Sequence, residues 1–385
     1  MTGQLALKFP ITFKGLISET TFLTGTGGTS RSTPMMWSSF TRHSDPSPRK
    51  GDGYNQWDFA LLNASWAVAR DFAARGLNEG KREGFLDPFR SFLDTAPTKA
   101  DLPPVEETTA RIKQVARFLG ADMVGITEYD ERWIYTYSTR ADSPQREEKP
   151  NILPDGLTSV IIIGHAMDER LVRTYPSATA AAATGREYSR EAAIVSSMAA
   201  FIKALGYEAV GSSNDTGITI PYAIKAGMGE YARNQMVITE EFGPRIRFSK
   251  VFTNLPLQHD KPKTFGVRKF CDICTKCADA CPPKALPYGP PQAQGPNRST
   301  IVGVTKWSAD CEKCFGYWTK LKADCAICMR VCPFNKDYSR LTMRMMRWLM
   351  TSRWRRLALW LDTVFGFGQR SKPGDWWRNS LSRVR

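Results

Sequence analysis

The 385-residue chain has no cysteine outside residues 271–332, only three histidines, and no apolar run as long as the roughly 18 residues a membrane span needs. Confinement of all nine cysteines to one stretch argues against the dispersed disulfide scaffold of a small secreted domain. The first thirty residues show neither a twin-arginine pair nor a basic region followed by an apolar one. A cytoplasmic setting is therefore expected, or an extracytoplasmic, membrane-associated one if the chain is a mature form. No G-x-G-x-x-G follows a candidate strand, so a nicotinamide fingerprint is missing, and no C-x-x-C-H marks a haem attachment. No internal repeat or low-complexity segment stands out.

What is present is basic. The net charge of +15 favours acidic partners, whether a membrane surface, a nucleic acid or a negatively charged redox protein, although solubility alone accounts for it equally well. Residues 1 to about 55 are rich in Gly, Ser, Thr and Pro and read as an irregular arm. A helix is expected from Phe59 to Arg75. A second follows Pro103-Pro104, where Ile112, Val115, Ala116 and Leu119 recur at three- and four-residue spacing up to Gly120. Met123–Ile126, Ser159–Gly164 and Arg245–Thr253 read as strands, and Arg186–Leu205 as a helix ending at Gly206. Helices alternating with buried strands imply an α+β core with α/β-like character. Gly227 and Gly229 suit a tight turn, or close backbone approach to a ligand.

Cys271, Cys274, Cys277 and Cys281 form C-x2-C-x2-C-x3-C followed by Pro282, the bacterial ferredoxin run. A second set, Cys311, Cys314, Cys325, Cys328 and Cys332 before Pro333, keeps C-x2-C-x3-C-P but displaces its first cysteine upstream. In the crossed ferredoxin pattern one [4Fe–4S] cluster takes Cys271, Cys274, Cys277 and Cys332. The other takes Cys281, Cys325 and Cys328 with Cys314, or with Cys311 in its place. Structural zinc is the competing reading, since C-x2-C pairs also serve zinc, but eight ligands in crossed order with both prolines favour clusters.

Further residues carry a resemblance. Glu187-Tyr188-Ser189-Arg190, Ser213-Asn214-Asp215, the run Ile220 to Glu230, and Thr239 to Arg247, with the ferredoxin run directly after, resemble the corrinoid-dependent reductive dehalogenases over roughly residues 105–385. The resemblance implies a nitroreductase-like, cobalamin-binding core (105–262) after an N-terminal extension (1–104). It also implies a bacterial-ferredoxin-like two-cluster domain (263–340) and a basic, Trp-rich C-terminal segment (341–385) packed on the core. It implies base-off cobalamin, held near Ile220, Pro221, Ala226, Gly227, Gly229 and Trp376 without a lower histidine. None of His43, His165 and His259 stands in a D-x-H-x-x-G motif, which agrees.

By motif position the family's proton donor falls on Tyr188, with Arg247 and Asn214 beside it. A phenol ordinarily titrates near 10, and a neighbouring cation brings that down; the structural alternative is a core aromatic beside an ion-paired arginine. The implied reaction replaces carbon–halogen by carbon–hydrogen on an organohalide, fed by a low-potential electron donor as in organohalide respiration. The alternatives are an epoxyqueuosine reductase-like enzyme acting on transfer RNA, or a non-catalytic iron–sulfur carrier. No nucleic-acid partner is expected under the first reading. The tail interleaves Arg344, Arg347, Arg353, Arg355 and Arg356 with Trp348, Trp354 and Trp360, which suits a membrane surface or anchor as partner.

Overall fold

The computed structural model describes residues 51–69, 71, 94–135, 137–139, 148–150, 152–213, 216–297 and 300–381. The core is one antiparallel sheet built from β1 (Met123–Glu128), β4 (Ser159–Ala166), β5 (Ala209–Ser212) and β8 (Ile246–Thr253), in the order β1-β4-β8-β5. Two short hairpins lie apart from it: β2 (Tyr137–Thr139) with β3 (Glu148–Pro150), and β6 (Glu230–Tyr231) with β7 (Val237–Ile238). All pairing in the main sheet is antiparallel, which places the fold on the α+β side of the sequence expectation.

The central strand β4 is buried on both faces because its apolar residues serve both in turn. Ile161 and Ile163 join the cluster formed with α2 (Val105–Phe118) and α4 (Ala178–Ala204). Val160 and Ile162 join Tyr222 and Ala223 of α5 (Thr219–Lys225) on the other side. That alternation with period two makes the sheet the middle layer of three.

After the short α3 (Glu169–Val172), helix α4 starts eight residues before the expected Arg186. Ser177 caps it by accepting from the Ala180 amide, and the run Ala180–Ala183 is buried without any polar face. Small residues are required there because α1 (Gln56–Ser65) lies against it: a Cβ on Gly185 would meet Ser65 Oγ and Trp66 Cδ1 at 2.4 Å. Asp58 of α1 is fully buried and its oxygens accept from Asn55 N, Thr179 Oγ1 and Trp377 Nε1. Trp377 lies on α12 (Pro373–Leu381), so one carboxylate ties the first described helix, the longest helix and the C-terminal helix together.

Between α5 and the C-terminal helices lies the cysteine-bearing unit: α6 (Val267–Cys271), α7 (Lys276–Asp279), α8 (Cys311–Leu321) and α9 (Ile327–Arg330). Helices α10 (Leu341–Thr351) and α11 (Arg355–Val364) cover it, burying Met346, Met350 and Ala358 against Phe270, Trp307 and Phe334. Asp362 of α11 is completely buried between Lys276 and Lys336, the latter at 2.7 Å. Removing one partner of such a buried set strands the others' charge. Asp362→Ala should therefore cost on the order of 3 kcal/mol and lower the thermal unfolding midpoint. An unchanged midpoint would show that solvent reaches both ammonium groups.

Candidate active site and cluster sites

Four of the cysteines, Cys271, Cys274, Cys277 and Cys332, line one cavity together with Phe270, Phe334 and the β6–β7 turn. All four are buried, and no disulfide joins any of the nine cysteines. Burial pushes the thiols of Cys271 and Cys277 up to about 12, and neighbouring cysteines add to the shift. Such thiols become thiolates only against a strong local positive charge, which the iron of a cluster supplies. The donor set thus fits an iron–sulfur cluster.

The other five cysteines make up the second group. Burial raises Cys314 and Cys325 to about 12, with Cys281 contributing to both and Cys325 to Cys314. Cys328 is raised further, by burial first and then by Cys314, Cys325, Cys277 and Cys281. Cys311 lies at the edge of this group: Gln235 Nε2 approaches its sulfur at 3.7 Å, and it perturbs Tyr231 and Lys306 as well as Cys314. The arrangement follows the crossed order, with Cys281 and Cys332 each reaching the set opposite its own run.

The β6–β7 hairpin clamps both sets to the core. Glu230 Oε1 accepts from the amides of Phe265, Gly266 and Val267, satisfying donors at the start of α6. The buried Arg233 donates to the carbonyls of Cys271 and Cys274 and to those of Pro287, Tyr288 and Gly289, while its guanidinium lies 4.9 Å from the Trp307 ring centroid. Neither role was visible in the sequence, where both residues lay in an irregular stretch.

Beyond the second cysteine group lies Tyr188, on α4. Its ring is stacked on Trp66, with centroids 4.6 Å apart and planes at 25°, and the Arg247 guanidinium carbon lies 3.3 Å from the ring centroid. Arg247 comes from β8, opposite His165 of β4. Its Nε is 3.6 Å from Glu191 Oε2, one helical turn beyond Tyr188. Burial lifts the Glu191 carboxyl to about 6, against the lowering effect of Arg247 and a hydrogen bond from Ser213. Burial, reinforced by Arg190 and Arg247, brings His165 down to about 3, and its Nε2 contacts Ser249 Oγ at 2.7 Å, so it is a neutral core histidine. Tyr175 Oη lies 2.9 Å from Thr184 Oγ1 on α4 and donates to Asp324, the residue before Cys325. That link sets the second cysteine group against the Tyr188 site.

Asn214 lies outside the described residues. Ile220 and Pro221 are half-buried on α5. Gly227 has φ +69° and its open side faces Lys261 O; a Cβ on Gly229 would meet Ile238 O at 2.2 Å. Packing within the chain therefore accounts for both glycines, and Ala226 is buried beside them. Trp376 rests on the apolar cluster of Met167, Tyr175 and Ile327. Trp66, which no motif signalled, is the addition of the structure to the site.

The geometry defines a two-cluster iron–sulfur protein with a tyrosine stacked between a tryptophan and an arginine in its α+β core. Residues 270–335 match a family model described as a 4Fe–4S double cluster binding domain. The chain is 34% identical over 317 residues to the tetrachloroethene reductive dehalogenase of Sulfurospirillum multivorans, covering 74% of this chain and 63% of that one. It is 37% identical over 272 residues to that of Desulfitobacterium hafniense, covering 60% of this chain and 48% of the relative. A solved reductive dehalogenase, whose structure suggests a mechanism for B12-dependent dehalogenation, aligns with a TM-score of 0.63 and 26% identity over 74% of this chain and 40% of that one. The match to epoxyqueuosine reductase of Lactococcus garvieae is shorter, 28% identical over 139 residues. The chain is a relative of the reductive dehalogenases, and it spans about half to two thirds of the length of these curated relatives.

The ambiguity at the displaced cysteine is open to test. Cys311→Ala should keep about eight irons per chain after anaerobic reconstitution, whereas Cys314→Ala should fall to about four. The reverse pattern would make Cys311 the ligand.

Proposed function

We propose that this chain is a corrinoid- and iron–sulfur-dependent reductive dehalogenase, acting on an organohalide with electrons from a low-potential donor. One observation carries the reading: a tyrosine ring held between Trp66 and Arg247, next to the residues that lead into the second cysteine group.

The balance is simple. A carbon–halogen bond breaks, a carbon–hydrogen bond forms, two electrons enter through the clusters, one proton enters from Tyr188, and halide leaves. A base-off corrinoid bound here would supply a strongly reducing, nucleophilic centre. Ile220 and Pro221 of α5, the backbone near Ala226, Gly227 and Gly229, and Trp376 are the residues proposed to hold it. No described imidazole is offered as a lower ligand: His165 is buried in the sheet and His259 Nε2 is 3.1 Å from Ser159 Oγ.

Tyr188 gives its phenolic proton to the carbon that loses halide, and Arg247 on the ring face stabilises the phenolate left behind. Trp66 fixes the ring plane. Glu191 holds Arg247 in place from the buried side. Asn214 is proposed to orient substrate or halide.

Tyr188→Phe should retain both clusters and bound corrinoid yet lower turnover of a dehalogenation substrate by about 10²–10⁴-fold, the usual worth of a positioned acid. Undiminished turnover would remove Tyr188 from the reaction. The acid limb of the pH profile tests its neighbour. Glu191 is charged only above about 6, so turnover should fall as pH drops through that value and Arg247 loses its counter-charge. Glu191→Gln should abolish that limb.

A further inference from the structure

Helices α10 and α11 present a face that intramolecular packing does not explain. Leu341, Met345 and Trp348 recur at i, i+4 and i+7 along α10, and Leu357, Trp360 and Val364 at i, i+3 and i+7 along α11. Each is between 43% and 68% exposed. The opposite side of both helices is firmly seated through Met346, Met350, Ala358 and Asp362. The apolar face thus belongs to ordered, anchored helices.

Its charge decides what it fits. Arg344, Arg353 and Arg356 are exposed along the same two helices and their connection. From Leu341 to Lys372 the one carboxylate is Asp362, and it is buried between two lysines. Arg347 is already engaged with the Glu240 carbonyl and the Tyr338 ring. A second copy of this chain would set arginine against arginine across a two-fold contact. A phosphate-rich lipid surface instead meets all three features at once: tryptophan rings at headgroup depth, aliphatic side chains below them, and guanidinium groups on the phosphates.

We propose that the α10–α11 face docks this protein on an anionic bilayer surface. No helix among the described residues is long and apolar enough to cross a membrane, so the contact is peripheral. Asp362 ties the docked face to Lys276 and Lys336, which flank cysteines of the first group. Docking therefore sets the first cluster on the membrane side of the relay and leaves Tyr188 beyond the second. The inference does not depend on the reaction assigned above.

The test is co-sedimentation of the reconstituted full chain with phosphatidylglycerol–phosphatidylcholine vesicles and with phosphatidylcholine alone, at low and high salt. Binding should require the anionic lipid and weaken with salt. Trp348→Ser with Trp360→Ser should reduce it at least tenfold. Each of Arg344→Gln, Arg353→Gln and Arg356→Gln should reduce it about fivefold. Iron content and thermal midpoint should stay at wild-type values, since these side chains are exposed. In the wild type, brominated lipid should quench tryptophan emission. Equal binding to both vesicle types, no binding, or binding indifferent to these substitutions would overturn the proposal. So would self-association that is lost in the double tryptophan variant, or capture of an acidic protein instead of lipid.

Discussion

Nine cysteines gathered in two neighbouring groups, five of them buried, set the terms for this part of the molecule. Unmetallated, they are neutral and merely apolar; as cluster ligands they become thiolates whose mutual repulsion only iron can offset. The chain prepares for that state with other charges. Arg233 contacts the carbonyls of two ligands, and Lys276 and Lys336 stand beside the first group with a single carboxylate between them. Cys332 lies with the cysteines of the first run and Cys281 beside Cys325 of the second, so the chain draws the two runs together at both groups.

The two groups differ in what surrounds them. The first sits among buried cations and under the C-terminal helices. The second is joined to the core by the buried Asp324, whose carboxyl burial raises to about 6 and which accepts from Tyr175. Positive surroundings favour the reduced cluster and negative ones oppose it. On that ground an electron is more stable at the first group than at the second.

Much of this was legible in the sequence, for identifiable reasons. The strands announced themselves through the apolar run Val160 to Ile163 and the β-branched and aromatic residues among Ile246 to Thr253, and the cysteine spacing is stringent enough to imply clusters unaided. The first two turns of α4 escaped because a helix buried all round has no periodicity to read, and Gly185, just before the expected start, is a point of close approach to Trp66. Trp66, Glu230 and Arg233 escaped for another reason. Their roles depend on partners 122, 35 and 38 or more residues away, and nothing local distinguishes a tryptophan that stacks on a tyrosine at a candidate site from one that fills a core. The glycines at 227 and 229 were legible as tight backbone, and the backbone they approach is the chain's own.

The Tyr188 stack shows why those distant partners matter chemically. A guanidinium on a phenol ring is attractive but directionally loose, and left alone Arg247 could rotate toward solvent or toward Asp324. Glu191 restrains it, and Glu191 is in turn restrained by Ser213 and by Lys250, whose ammonium donates to Ser213 O and Thr219 Oγ1. The sequence of contacts alternates charge: cation on the ring, anion behind it, cation behind that. Each member is buried enough for its neighbours to feel it strongly, and the two cations around one anion leave the set net positive. Under the proposed reaction, a phenolate at Tyr188 would meet a fixed cation already in place, and little reorganisation would accompany the proton's departure.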